Sequence, residues 1–168
     1  NQTSTVTVSI FDGSSDDDFD SVPDRTVSVT TTDDDVAGFT IAETGGSTSV
    51  AETGTTDTFT IVLNAQPDSD VVFAISSSDT GEATVTSTLT FTNANWDTPQ
   101  TVTVTGVDDN LVDGTISSTI TVSINDGSSD NNFDAVADQT VSATTTDDDV
   151  AGFTIAESSG STSVAETG

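Results

Sequence analysis

The chain is 168 residues long and carries a formal charge of -28, from 29 acidic side chains against a single basic one, Arg25, with no histidine. Without Cys, His, Lys or Tyr it lacks thiol nucleophiles, imidazole bases, Schiff-base amines and phenolic acids, and it lacks the thiolate and imidazole ligands of zinc and copper sites. Like charge at this density opposes compaction and repels phosphate, so nucleic acid and anionic membrane surfaces are excluded as partners, and no apolar run is long enough for membrane insertion.

Along the chain, apolar residues alternate with Thr and Ser, as in Thr5-Val6-Thr7-Val8-Ser9-Ile10, which predicts strands with one wet and one dry face. This alternation argues against disorder, the other reading of high charge with few aromatic residues. Strands are expected at Gly38-Glu43, Ser49-Glu52, Thr58-Asn64, Asp70-Ser76, Ala83-Val85, Thr88-Thr92, Gln100-Thr105, Ser117-Ile124 and Gln139-Thr146. No segment keeps a period of 3.6, and Thr, Ser, Val and Asp form helices weakly. The fold class is therefore all-β, an antiparallel sandwich. Core candidates are Phe39, Phe59, Ile61, Leu63, Phe73, Leu89, Phe91, Val102, Val104 and Ile120. Trp96 is expected to cap one end of this core, with its indole N–H bonded to a loop carbonyl.

A long internal repeat sets the domain organisation. The string DGSSD at 12–16 returns at 126–130, a period of 114 residues, and Asp33 to Phe39 recurs as Asp147 to Phe153. About three-quarters of the overlapping positions are identical, the pattern of units duplicated within an array. The expected division is 1–35, the last strands of a preceding repeat; 36–149, one complete repeat; and 150–168, the opening strand of a following one. Neither end falls at a repeat boundary, and the expectation is a much longer native polypeptide. A filament is the alternative, with the terminal strands of one copy completing the sandwich of the next.

Acidic residues gather at strand edges: Glu52, Asp79, the pair Asp108-Asp109 with Asp113, and the triplet Asp147-Asp148-Asp149. Carboxylates brought together at one pole raise each other's pKa. A calcium ion, which takes six to eight oxygens at roughly 2.3 to 2.6 Å, reverses that repulsion. The connection from Asn125 to Asp134, with Asp and Asn at alternate positions, is either a further calcium site or an ordinary solvated turn.

These motifs together resemble a Calx-β repeat. The matching stretches are Ser49 to Gly54, Ser78 to Ala83, Leu89 to Thr92, Gln100 to Val104, Val107-Asp108-Asp109 with Asp113, and Asp147 to Asp149. The resemblance implies an immunoglobulin-like sandwich with calcium at one pole. Carried over residue by residue, it implies Glu52, Asp79, Asp108, Asp109, Asp113, Asp147, Asp148 and Asp149 as ligands, with Asp33, Asp34, Asp35 and Glu166 their counterparts in neighbouring copies. The family usually has glutamate where Asp113 stands and more acids after it, whereas Gly114-Thr115 follows here, implying fewer or weaker ions.

The expected function is that of a calcium-stabilised structural repeat of a long, secreted or cell-surface adhesin or extracellular filament. Its partners are calcium and neighbouring repeats, and no enzymatic activity is expected. A glycan- or surface-binding adhesive domain is the alternative.

Overall fold

The computed structural model describes residues 1–158 and 160–166. Ser159, Thr167 and Gly168, all in the expected opening strand of a third repeat, lie outside the described residues. The chain forms two compact units, divided between Val36 and Ala37. No described helix is long and apolar enough to cross a membrane.

The first unit is a hairpin of β1 (Gln2–Val8) and β2 (Arg25–Thr31), paired antiparallel from Gln2 opposite Thr31 to Val8 opposite Arg25. Every residue of both strands is exposed, including Val6, Val8, Val27 and Val29.

The second unit contains nine strands: β3 (Phe39–Glu43), β4 (Thr48–Ala51), β5 (Thr56–Leu63), β6 (Val71–Ser77), β7 (Ala83–Val85), β8 (Thr88–Phe91), β9 (Gln100–Gly106), β10 (Ile116–Ile124) and β11 (Gln139–Thr146). Each matches a segment expected from the alternation. They form two sheets, ordered β3-β5-β9-β7 and β4-β11-β10-β6-β8. All pairs are antiparallel except β4 with β11, which run parallel. That exception modifies the purely antiparallel sandwich, and it has a local cause. Between β3 and β4 lie Gly45 and Gly46, at φ 73° and 83°, a conformation glycine adopts without a Cβ penalty. This turn carries the chain from one sheet to the other, where β4 lies along the last strand.

One core joins the sheets. Phe59 and Ile61 of β5 and Val102 and Val104 of β9 point in from one side; Val71, Phe73 and Ile75 of β6, Ile120 and Val122 of β10 and Val141 of β11 point in from the other. Phe73 stands edge-on to Phe39 and Phe91, at ring centroid distances of 5.0 and 5.7 Å, a favoured arrangement of aromatic quadrupoles. Nine of the ten expected core residues are fully buried; Leu89 is half-buried and packs against the cluster. Trp96 also packs half-buried against it, but its tie to the core is its backbone carbonyl, which accepts the Leu63 N–H at 3.1 Å, rather than the indole.

The β10–β11 hairpin repeats the pairing of β1–β2: Ile116 faces Thr145 and Val122 faces Gln139, 114 positions beyond the pairs that bound the first hairpin. In this copy the same face is covered, so Ile120, Val122, Val141 and Ala143 are buried where Val6, Val8, Val27 and Val29 are open. Residues 150–158 and 160–166 form no strand and are exposed. The counterparts of Phe153 and Val164, Phe39 and Val50, sit in strands because β5 and β11 lie beside them; no such neighbour flanks the described part of the tail.

Most of the connection from Asn125 to Asp134 is exposed, as in a solvated turn, but Asp130 and Phe133 are buried within it. Asp130 is buried, with its carboxylate accepting the N–H groups of Asp68 at 2.6 Å, Ser69 at 3.0 Å and Asn132 at 2.9 Å. Ser129 ties the same connection to β6, its hydroxyl oxygen accepting the Val72 N–H at 3.0 Å. The Asn132 N–H foremost, with those of Ser69 and Asp68, holds the Asp130 carboxyl below its ordinary value against the opposing effect of burial. A depressed folded-state pKa contributes stability that is present above the unfolded value, 3.8, and lost as pH falls through the folded one. Asp130→Asn keeps the shape but loses charge-assisted bonds, so it should destabilise the domain by roughly 1–3 kcal/mol at neutral pH. In urea titrations that difference should shrink as the pH is lowered below 4; a pH-independent deficit would assign it to packing.

Candidate metal centre

Nine acidic residues of the second unit, Glu52, Asp79, Glu82, Asp108, Asp109, Asp113 and Asp147 to Asp149, gather at the pole where β4, β9 and β11 end and β7 and β10 begin. Glu52 is placed there by strand period: Thr48 and Val50 point inward, and Glu52 continues the alternation just beyond β4. Its backbone N–H bonds to the Thr146 carbonyl at 3.1 Å, extending the parallel ladder with β11 by one step. The side chain is 1% exposed. The Asp148 N–H favours its charged form, yet Oε2 has no hydrogen-bond partner.

Gly106, at the end of β9, makes room for this entry. A Cβ on Gly106 would lie 2.1 Å from the Ala51 carbonyl oxygen, so β9 and the residue before Glu52 touch backbone to backbone.

Two sets of three carboxylates have oxygens within 4.8 Å of one another: Glu52 with Asp109 and Asp149, and Glu52 with Glu82 and Asp113. Asp109 and Asp149 are half-buried. Asp113 is exposed, whereas Glu82 is 7% exposed. Glu82 Oε2 and Asp149 Oδ2, like Glu52 Oε2, are buried without a partner. The only basic side chain of the sequence, Arg25, lies in the first unit. Three carboxylates with a buried, unpartnered oxygen therefore share one pole of a unit whose sequence contains no cationic side chain.

Asp147 plays another part. Its carboxylate accepts the Gly114 N–H at 2.8 Å and the Asp149 N–H at 2.7 Å. These amides, Gly114's foremost, hold it below its ordinary value, so Asp147 shapes the loop after β9 and the exit from β11. Asp79 is exposed and closes a turn by accepting the Gly81 N–H at 3.0 Å; its charge reaches Glu82. Asp108 and Asp148 are exposed, and their charges reach Asp149.

Eight of the twelve sequence-proposed ligands thus belong to one acidic pole. Asp33, Asp34 and Asp35 are exposed in the first unit, where the Asp33 carboxylate accepts the Asp35 N–H at 3.2 Å. Glu166 is exposed on the strandless tail. Glu82 was not among the proposed ligands. The only sequence signal for it is its place immediately before a buried strand residue, Ala83.

Comparison with solved structures returns β-sandwich domains. Domains 1–6 of the surface layer protein SbsC align at a TM-score of 0.50 and 23% identity, over 87% of this chain and 16% of that one. Domains 4 and 5 of SbsC align at 0.49 and 23% identity, over 86% and 58%, and the apo form of the Calx CBD1 domain at 0.46 and 14% identity, over 66% and 98%. The chain therefore spans less than two thirds of the SbsC chains it matches, and at these identities the likeness is one of fold. No protein-family model matches the chain, and no curated protein does.

Burial, then the charges of Asp147, Asp109 and Asp113, push the Glu52 carboxyl above its ordinary value of 4.5. Burial, then Asp113, Asp79, Asp109 and Asp147, push Glu82 up from 4.5, and burial with Asp147, Asp148, Asp108 and Asp109 pushes Asp149 up from 3.8. Raised folded-state values mean that the folded protein binds more protons than the unfolded chain above those ordinary values, so stability is lost as pH rises through the folded values. In metal-free buffer the melting temperature should therefore rise as pH is lowered from 7 toward 5, measured by calorimetry; a fall over that interval would show that these carboxyls are not strained. Gly106→Ala should displace Ala51 and Glu52 together, lowering the melting temperature and the response to divalent ions.

Proposed function

We propose that the second unit is a calcium-stabilised structural module, one repeat of a long surface or extracellular protein in which it acts as an extender. The observation that carries this reading is the trio of buried carboxylates with unpartnered oxygens, Glu52, Glu82 and Asp149, in a unit without a basic side chain. Desolvating a carboxylate without a partner is costly, and the remaining remedies are a proton or a cation from solution. At neutral pH, with further acids alongside, a hard divalent cation answers both the charge and the oxygen-only donor set. Glu52, Asp109 and Asp149, with Glu82 and Asp113, would hold it, and its charge would offset their repulsion.

The array reading draws on the two hairpins. β1–β2 pairs in the same register as β10–β11, at the spacing of the sequence repeat, and presents bare the face that the second unit buries. In this reading 1–35 and 150–168 are parts of neighbouring repeats, and Asp33, Asp34, Asp35 and Glu166 serve poles completed by residues of those repeats. Secretion and a place at the cell surface fit the demand for calcium, since extracellular modules bind it at roughly 0.1–1 mM and cytoplasmic levels would leave such sites empty.

Calcium at a hundred-fold excess over its dissociation constant should add about 2.7 kcal/mol per site to the folded state. Addition of a chelator should accordingly lower the melting temperature of the whole chain by several degrees, and return of calcium should restore it. Identical melting curves with calcium and with chelator would defeat the proposal.

A further inference from the structure

We propose that Glu82 creates an inner divalent-cation position, made with Glu52 and Asp113, beside an outer one made by Glu52, Asp109 and Asp149, so that the pole takes two oxygen-seeking ions that share Glu52. This rests on the calcium reading above and assigns its ligands to two places. Oxygens bound to one calcium-class ion at roughly 2.3 to 2.6 Å can be no more than about 5 Å apart. Each set of three satisfies this limit, with all its oxygens within 4.8 Å of one another, and the sets have only Glu52 in common.

Glu82 is fixed in place by its own backbone. Its carbonyl accepts the Val107 N–H at 2.8 Å and the Thr145 hydroxyl at 3.2 Å, which ties the residue to the end of β9 and to buried Thr145 of β11. The residue is only 7% exposed, and its Oε2 is left buried and unpartnered.

The two positions connect different parts of the sandwich. The inner set spans the residue before β7, in one sheet, the residue after β4, in the other, and Asp113 in the loop between β9 and β10. The outer set joins the end of β4 to the first half of that loop and to Asp149, where the chain leaves β11. Shared Glu52 couples them, because an ion in one position orients the carboxylate for the second.

Isothermal titration of the whole chain with calcium chloride, after removal of metal by chelator, tests the assignment. Glu82→Gln keeps the volume and removes the charge; it should bind one ion fewer than the wild type, and it should melt higher than the wild type in chelator because a buried charge is gone. Asp113→Asn, at an exposed position that threatens the fold least, should weaken the same binding step by more than about tenfold, whereas Asp149→Asn should weaken the other. A Glu82→Gln protein that binds as many ions as the wild type with unchanged affinities overturns the inner position and leaves the calcium reading standing. A single ion on the wild type does the same. A wild type that binds no calcium defeats the calcium reading instead.

Discussion

Carboxylates can be taken out of water in two ways, and this sandwich uses one at each of two places. Asp130 is surrounded by amides: three N–H groups point at it, and its proton affinity falls. At the acidic pole, Glu52 and Glu82 are buried and Asp149 half-buried, but amide donors are too few, and each keeps a buried oxygen without a partner. Asp147, in the midst of the same pole, shows that amides were available there and went to one residue. The difference assigns the roles. Asp130 and Asp147 are acceptors that shape loops, and the other three keep an oxygen that no donor of the protein reaches, which leaves a proton or a cation to offset their charge.

Much of the fold could be read from the strand period, because burial on one face writes itself into every second residue. All nine strands of the second unit follow from that alternation, and Glu52 follows too, as the next inward position after Thr48 and Val50. The parallel pairing of β4 with β11 left no such trace. It depends on where two glycines redirect the chain, and on contacts almost a hundred residues apart in sequence. Glu82 was hidden for a different reason. It lies in a turn, where no period applies, and only the packing of Ala83 and the bonds to its carbonyl draw it inward.

Asp130 was equally opaque, since it sits among Asp126, Asp134 and several asparagines that look alike by composition. What singles it out is the proximity of the Pro67–Asp70 turn, whose free N–H groups need an acceptor. The strandless tail shows the converse. Its sequence reproduces Phe39 to Glu52 almost letter for letter, yet its described residues form no strand, because a β-strand is made by its neighbours as much as by its own sequence.

The direction of the chain places the acidic pole at its exit from the sandwich. Phe39 begins β3 opposite Leu63, the last residue of β5, while Thr56, the first of β5, faces Thr105 near the end of β9. The polypeptide therefore enters the sandwich at the pole away from the acids and leaves it, through Asp147 to Asp149, at the acidic one. The first strand of the unit, β3, and the last, β11, lie in different sheets. β4, which follows β3, runs parallel to β11, so a load passed from β3 to β4 would act on the bonds between β4 and β11 in shear. The last rung of that parallel ladder is the bond from the Glu52 N–H to the Thr146 carbonyl, and the residues on either side of it are Glu52 and Asp147 to Asp149. On the calcium reading proposed above, a cation shared between the end of β4 and the end of β11 would close the ladder at that rung.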